Sequence, residues 1–282
     1  VLTDGYPSLN GKLTVNRADL QAVGLSTSPF IVKGKIELDL TDTRPRKLDG
    51  TVFVHEVQYS NEQDLIQLDS LTILANAALD SQHIKVEGPI GYITLDGNYD
   101  YTQLAAAVSN IIERQLNPAD SLTIAKADSM ESQSARLAAS LILPRSMEKF
   151  LPDLQIRQPL TLEGSLNTDS SLLYLEAAHP QFRYTTAIVD SFRLKLLFDQ
   201  DTINTSIQVA QIEHPVFPVY NMAVTAKGKP GNINWLLAAD DAEKKPSYRV
   251  GGNWKGPSMT DWSLGLNPEI LLNKENFTTV AD

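Results

Sequence analysis

A short phrase, Asp-Ser, recurs along the chain and constrains its fold more than any other sequence feature. Asp and Ser side chains bond to their own backbone and open turns, and the residues behind them alternate between apolar and polar, as β-strands do. A turn-and-strand unit that repeats along a chain predicts an extended sheet, which is a surface for holding or conducting a ligand rather than a pocket for chemistry. The six copies are Asp69-Ser70, Asp80-Ser81, Asp120-Ser121, Asp128-Ser129, Asp169-Ser170 and Asp190-Ser191.

Two strand patterns, residues 32–40 and 192–198, show the alternation most clearly and supply the candidate binding residues. Apolar and polar residues alternate in both, so each strand has one apolar face and one polar face. An apolar face is by default a packed core, but in an open sheet it lines a groove. The candidate lining residues are Ile36, Leu38, Leu40, Phe192, Leu194, Leu196 and Phe198.

The longest helical pattern covers Tyr101–Leu116, where apolar residues recur at helical spacing. Asp100 is placed to cap this helix with Gln103 as its capping-box partner, and Asn117-Pro118 predicts its end. Helices that lie on membranes usually have polar faces rich in Lys and Arg. This helix lacks such a face, which favours core packing or a plug at the mouth of a groove.

The whole chain is predicted to be an all-β protein with a few short helices, built as an elongated, curled sheet of stacked antiparallel strands. Two shorter helices are expected at Pro144–Leu151 and Pro268–Asn273. Phrases of the first half recur in the second half in the same order. They indicate two groove segments, residues 1–117 ending in the long helix and residues 118–282. One continuous domain is the alternative, since only a polar, Ser-rich stretch near residues 117–134 separates the halves.

Charge and composition argue against several classes of function. The net charge of −10 at pH 7 disfavours nucleic acids and anionic membrane surfaces, because both are bound by basic faces. The absence of cysteine excludes disulfides, thiolate nucleophiles and cysteine-zinc sites. No stretch approaches the ~20 apolar residues that span a bilayer. Because the chain begins with Val1 and shows no signal peptide, we interpret it as a segment of a longer protein.

No catalytic constellation is visible in the sequence. None of the four histidines stands at metal-ligand spacing to another, and His179 and His214 each precede a proline, which predicts surface loops. Paired acids such as Asp240 and Asp241 can hydrolyse glycosides at the right separation, but acids in such positions are mostly turn residues. We therefore expect no enzymatic activity, no metal and no cofactor.

With these residues in view, the chain resembles the TamB (translocation and assembly module) family of the AsmA-like superfamily. The resemblance lies in the recurring pattern of turn and strand segments and covers most of the chain. It is carried by residues 32–40, Leu68–Ile73, Gly97-Asn98-Tyr99 running into the helix, residues 143–152 and Val189–Leu194.

The resemblance implies a long periplasmic protein of Gram-negative envelopes that is anchored in the inner membrane and engages an outer-membrane barrel protein of the assembly-factor type. Its sheets curl into an apolar groove, the β-taco, which is thought to carry phospholipids between the membranes. The family was first linked to the assembly of outer-membrane proteins. This chain would be an interior segment, since it shows neither the anchor nor a barrel-binding end.

Two rival functions remain open at this point. The first is a scaffold or chaperone-like module that binds partner strands by β-strand addition at its edges. The second is a β-helical polysaccharide hydrolase, which requires acids above an aromatic-lined cleft. An aromatic content of 7% argues against the hydrolase.

Overall fold

The structure, a computed structural model, describes residues 6–22, 24, 31–60, 65–117, 131–144, 151, 153–258 and 260–279. Within these ranges it contains one α-helix, α1, and a single sheet of nineteen strands. The elements of the first half are β1 Leu9–Asp19, β2 Ile31–Asp42, β3 Asp49–Ser60, β4 Leu65–Leu68, β5 Leu71–Ala77, β6 Gln82–Gly88, β7 Gly91–Asn98, α1 Leu104–Leu116 and β8 Ser134–Leu141. The later strands are β9 Leu154–Ile156, β10 Leu160–Asn167, β11 Leu172–Tyr184, β12 Ala187–Asp199, β13 Thr202–Glu213, β14 Val219–Lys229, β15 Asn232–Asp240, β16 Pro246–Lys255, β17 Ser263–Leu266, β18 Glu269–Leu272 and β19 Glu275–Thr278.

Nearly every strand pairs with its neighbour in sequence, and every pairing is antiparallel. The main departure is that β8 pairs with β10, while the short β9 pairs with the far end of β11. Among the described residues, β1 pairs only with β2 and β19 only with β18, so the sheet is open. The prediction of an all-β protein built on an open antiparallel sheet is therefore confirmed. Because β7 pairs with β8, the sheet also runs across the boundary between residues 117 and 118.

The two faces of the sheet differ in character. Directly opposite residues of antiparallel neighbours share a face, so the register shows which side chains lie together. One row on the apolar face, which we name the central row, is aliphatic across thirteen strands from β2 to β16. We name the face that carries it the trough face. The central row consists of Leu38, Val52, Ile73, Val86, Ile93, Ala139, Leu162, Ala177, Leu194, Ile207, Val224, Leu237 and Val250.

The opposite face of the sheet, which we name the polar face, carries ion pairs between neighbouring strands. Lys12 Nζ lies 2.9 Å from Glu37 Oε1 on the directly opposite strand position. Lys195 Nζ lies 3.1 Å from Glu176 Oε2, again directly across the strand pair. An apolar face and a charged face on one antiparallel sheet are what the alternating sequence predicts.

Helix α1 begins later than the sequence pattern predicts and is not capped by Asp100. The Asp100 carboxylate instead accepts hydrogen bonds from the backbone N–H and hydroxyl of Thr102, at 2.8 and 2.5 Å, which stabilises a turn over residues 101–103. The N-cap is Gln103, whose side chain makes no capping bond. The predicted end is confirmed, because the helix stops at Leu116 and the N–H of Asn117 bonds to the carbonyl of Glu113.

The helix predicted at Pro268–Asn273 is wrong, because this segment forms β18 and pairs with β19. Asn273 and Lys274 both have positive φ, at 50° and 70°, which is the backbone of a tight two-residue hairpin turn. Local pairing of Ile270 with Phe277 therefore outweighs the helical preference of the segment. The helix predicted at Pro144–Leu151 lies largely outside the described residues.

The described Asp-Ser phrases take two forms, three of them preceding strands and one lying inside a strand. Asp69-Ser70, Asp80-Ser81 and Asp169-Ser170 precede strands as predicted. Asp190-Ser191, however, lies inside β12, where Ser191 has a φ of 55° and interrupts the pairing on both sides. The register is the same on both sides of Ser191, so the strand bends there through the positive φ and not through an inserted residue. Asp120-Ser121 and Asp128-Ser129 lie outside the described residues.

The bend at Ser191 continues onto the neighbouring strands. By register, Ser191 lies between Pro180 of β11 and Ala210 of β13, and Ala210 lies opposite Asn221 of β14. Asn221 also has positive φ, at 48°, and marks a register shift against β15. The positive-φ residues of β12 and β14 thus line up across the sheet, on either side of Ala210 in β13.

An ion pair ties the β18–β19 hairpin to the loop between β15 and β16. Lys274 Nζ lies 2.6 Å from Asp241 Oδ2, while Asp241 Oδ1 accepts the N–H groups of Glu243 and Lys245 at 2.8 and 2.9 Å. The Lys274 bond and these backbone bonds lower the pKa of Asp241 to about 2 from an ordinary 3.8. A lowered pKa stabilises the fold at pH values above the ordinary value, and the contribution disappears as the pH falls towards 2.

We expect Asp241→Asn to be less stable than the wild type at neutral pH, with a difference that disappears once the pH falls below the lowered pKa of Asp241. Urea unfolding at a series of pH values measures this difference, which should narrow below pH 3.8 and close below about pH 2. Glu243→Gln removes the neighbouring carboxylate but leaves the Lys274 bond intact, and it should show no such closing. A difference that is constant with pH would contradict the assignment.

Candidate functional site

The trough face is only partly covered. In the central row, Ala139 and Ala177 are buried, and the other eleven side chains keep partial access to solvent. In the described part of the chain, α1 is the only helix or strand outside the sheet. Strands lie ~4.8 Å apart, so a row over thirteen strands is about 58 Å long. The result is a long aliphatic surface with a small lid of one helix.

The sequence-predicted lining residues all lie on the trough face. Leu38 and Leu194 belong to the central row itself. Leu40 and Leu196 lie in the adjacent row, which the register connects from β2 to β12. Ile36 lies opposite Val54, on the other side of the central row.

The two phenylalanines of the prediction have different surroundings. Phe192 is half-buried near the bend, where its ring meets that of Phe182 edge-on with centroids 6.1 Å apart. Phe198 is only 5% exposed and belongs to the core cluster that holds α1. The structure thus brings the seven predicted residues to one face, with six half-buried and Phe198 packed.

Helix α1 packs against one end of the strands through a line of buried residues. Ala107, Ile111 and Gln115 are buried and spaced four residues apart, so they share one side of the helix. The Gln115 amide donates to the carbonyl of Gln200, in the turn after β12, at 2.6 Å. The core cluster beneath the helix includes Leu173 and Phe198. The helix is therefore anchored to the sheet at its C-terminal end by both apolar and polar contacts.

Polar contacts fix the N-terminal approach to α1. The Gln82 amide donates to the carbonyl of Tyr99 at 2.5 Å, and the N–H of Asp100 donates to the Gln133 side chain at 3.1 Å. Tyr99 is completely buried, its hydroxyl donates to the Leu95 carbonyl at 3.2 Å, and burial raises the pKa of Tyr99. The backbone that enters the helix is thus held to β6, β7 and the segment before β8.

A second stripe of α1 borders an open space, which we name the α1 cavity. Its volume is about 470 Å³. Leu104, Val108 and Ile112 form its helix side, and these residues also follow four-residue spacing. The sheet side is contributed by trough-face residues, chiefly Ile84, Val86, Ile93, Leu95, Leu137, Leu175 and Leu196. Sequence reasoning placed α1 in a core or at a groove mouth but did not identify this lining.

Several titratable groups of the described polar face are paired with one another. The hydrogen bond from Tyr174, at 2.6 Å, together with Lys195 lowers the pKa of Glu176. The hydrogen bond from Lys12 likewise lowers the pKa of Glu37. In the part of the chain that the structure describes, no group of three or more His, Asp or Glu side chains could hold a metal ion.

His179 departs from the surface loop that its sequence context predicts. It lies within β11 and is 3% exposed. Its Nε2 is 2.7 Å from the Gln158 carbonyl, and its ring packs edge-on against Phe182. Pro180 does not end the strand, because it occupies the bend line where the pairing with β12 is already interrupted.

Comparison with known proteins found no match. No protein-family model, no curated protein and no solved structure matches the chain. Among the described residues, no helix combines the length and apolar character needed to cross a bilayer.

Proposed function

We propose that this chain binds lipid acyl chains along its trough face and conducts them, as an interior segment of a TamB-like periplasmic protein between the inner and outer membranes. The observation that carries the proposal is the central row, an aliphatic row over thirteen strands that stays partly open to solvent. Contiguous exposed apolar surface of this extent marks a binding surface rather than an ordinary exterior.

The uniformity of the row favours transport over fixed binding. Each methylene group that leaves water for such a surface gains ~0.8 kcal/mol. An acyl chain that shifts by one strand exchanges its contacts for chemically similar ones, because the next residue of the central row is again Leu, Ile, Val or Ala. Movement along the row therefore needs no specific site and meets no polar side chain within the row.

This proposal makes the protein a carrier and not an enzyme, with phospholipid as its ligand and without a cofactor. Following the TamB resemblance, we place it in the periplasm, with the inner-membrane anchor and the contact to an outer-membrane barrel protein in parts of the protein outside this chain. The charged polar face suits an aqueous compartment. The net charge of −10 disfavours nucleic acid as a partner.

A matched pair of substitutions on β13 tests acyl-chain binding. Ile207 lies in the central row and Gln208 on the polar face, so Ile207→Asp and Gln208→Asp add the same charge to opposite faces. We expect Ile207→Asp to lower phospholipid occupancy at least tenfold, because burying a carboxylate under a hydrocarbon chain costs several kcal/mol. Native mass spectrometry after incubation with palmitoyl-oleoyl phosphatidylethanolamine vesicles measures occupancy.

Photo-crosslinking locates the bound lipid independently. A photoreactive side chain at Leu38 or Leu194, both in the central row, should capture phospholipid. The same group at Lys195, on the polar face, should capture none. Failure to recover lipid from either central-row position, or equal occupancy in the two aspartate variants, would contradict the proposal.

The free edges of the sheet favour one second candidate, a module that binds partner strands by edge addition. The outer edge of β1 is unpaired among the described residues, and its Leu13 is 53% exposed on the trough face. Proline removes a backbone donor and blocks edge pairing. If edge addition is the function, the wild type captures an outer-membrane strand peptide and binds no phospholipid. Thr14→Pro then abolishes capture of the peptide.

A further inference from the structure

The geometry points to the α1 cavity as the site where the terminal segment of a phospholipid acyl chain comes to rest. The inference rests on the proposed function and adds a defined stopping point to it. The helix then acts as a stop at one end of the strands, beside a surface along which chains otherwise slide.

The chemistry of the cavity walls selects a hydrocarbon occupant. The helix contributes the stripe Leu104, Val108 and Ile112, and the sheet contributes aliphatic trough-face side chains. Ser165 and Tyr174 also border the cavity, but their register places them on the polar face, where the Tyr174 hydroxyl already bonds to Glu176. The hydrogen-bonding groups of a polar occupant would find no partner in this cavity, and their desolvation would cost free energy. A hydrocarbon chain avoids this cost.

The cavity is continuous with the proposed path of the lipid. Val86 and Ile93 belong to the central row and also line the cavity. An acyl chain lying on the central row at β6 and β7 therefore reaches the cavity without crossing a polar side chain. The open part of the trough face leaves room for the headgroup in water.

The α1 cavity is partly open to solvent and is large enough for a hydrocarbon segment. An apolar cavity of about 150 Å³ already takes up benzene. At about 470 Å³, the α1 cavity accommodates a considerably longer hydrocarbon. The buried stripe of Ala107, Ile111 and Gln115 holds the helix in place without using this space.

The charge of the protein favours a phospholipid over a free fatty acid. None of the cavity-lining residues is a cation that could pair with a carboxylate. The net charge of −10 also repels an anion. We therefore commit to the acyl chain of a zwitterionic phospholipid, whose headgroup carries no net charge.

Two forms of photoreactive phosphatidylcholine test the site, one with the diazirine at the end of an acyl chain and one with it beside the carbonyl. We expect the terminal diazirine to label the cavity-lining parts of β8 and β11, at Ala135, Leu137, Leu173 and Leu175. The carbonyl-proximal diazirine should label the trough face away from α1. A diazirine-bearing fatty acid run in parallel should label these segments less.

Neighbouring helix positions supply a matched pair of variants. Val108→Trp fills the cavity from the helix side, whereas Ser109→Trp adds the same side chain on the exposed side of α1. Excluding about two methylene groups weakens binding roughly fifteenfold, since each is worth about fourfold in affinity. Titrations of labelling by the terminal diazirine should therefore shift about fifteenfold for Val108→Trp and not for Ser109→Trp.

A second filling variant guards against misfolding of the first. Gly164 borders the cavity from β10, and an added Cβ would meet the Tyr174 carbonyl oxygen at 3.3 Å and Leu137 Cβ at 3.5 Å, so Gly164→Leu requires only a small adjustment. Far-UV circular dichroism checks the fold of each variant. Folded Val108→Trp or Gly164→Leu protein that retains wild-type labelling overturns the inference.

The remaining outcomes separate the inference from the proposed function. If the terminal diazirine labels only the trough face away from α1, the stopping site is wrong while acyl-chain binding stands. If neither phosphatidylcholine labels the protein, both fail. Stronger labelling by the fatty acid than by the phospholipid overturns the choice of ligand.

Discussion

Replacing Phe198 with alanine lowers the free energy of unfolding by about 3–5 kcal/mol, the usual cost of emptying a buried aromatic site. Phe198 is 5% exposed and lies between Leu173 on β11 and Ile203 on β13, all three within the cluster that holds α1. The ring is too large for its neighbours to fill the space by small shifts. Urea unfolding followed by far-UV circular dichroism measures the loss.

Phe217→Ala is the matched control, because the same ring is removed from a loop position that is 66% exposed. We expect it to change stability by less than about 0.5 kcal/mol. If Phe198→Ala lowers the free energy of unfolding by less than about 1 kcal/mol, the loss falls below the range usual for buried aromatic residues. This cluster would then not be what holds the helix.

Gly91→Ala should destabilise the protein by about 3 kcal/mol, through backbone strain and a clash with the next strand. Gly91 opens β7 with a φ of 108°, a conformation that side chains rarely adopt. A Cβ there would lie 1.9 Å from the Ser140 carbonyl oxygen, and Ser140 is part of the β8 strand that pairs with β7. The substitution therefore forces β7 and β8 apart next to the α1 cavity.

Gly11→Ala supplies the comparison, since Gly11 lies within β1 and an added Cβ would meet no atom within 4 Å. We expect stability to stay within about 0.5 kcal/mol of the wild type. Thermal unfolding of the two variants side by side measures the contrast. Equal midpoints would show that the β7–β8 approach is not as close as the structure places it.

The face of each strand was predictable because it depends only on alternation within a segment. Ile36, Leu38 and Leu40 share a face by spacing alone, as do Leu194 and Leu196. The central row was not predictable, because it depends on how far each hairpin shifts its strands, and turn geometry sets that register. That Leu38 and Leu194 lie in one row, across eight successive strand pairings, is a property of the whole sheet.

The errors have local causes. Asp190-Ser191 has the composition of a turn, but its strand continues on both sides, and paired neighbours keep it within β12 as a local bend. Asp100 resembles an N-cap, but it lies about one turn before the first residue of α1, where its N–H donates to the Gln133 side chain. The α1 cavity depends on how the helix sits against the sheet, which helical spacing alone does not specify.

Because nearly every strand pairs with a neighbour in sequence, stability is close to a sum of nearest-neighbour terms along the chain. Folding can start at any hairpin and spread in both directions, and strands that emerge first during synthesis can pair before later ones exist. A hairpin added at one edge leaves the earlier pairings unchanged. Under the proposed function, the number of strands would set the distance over which a hydrocarbon chain is carried, and duplication of hairpins would lengthen it.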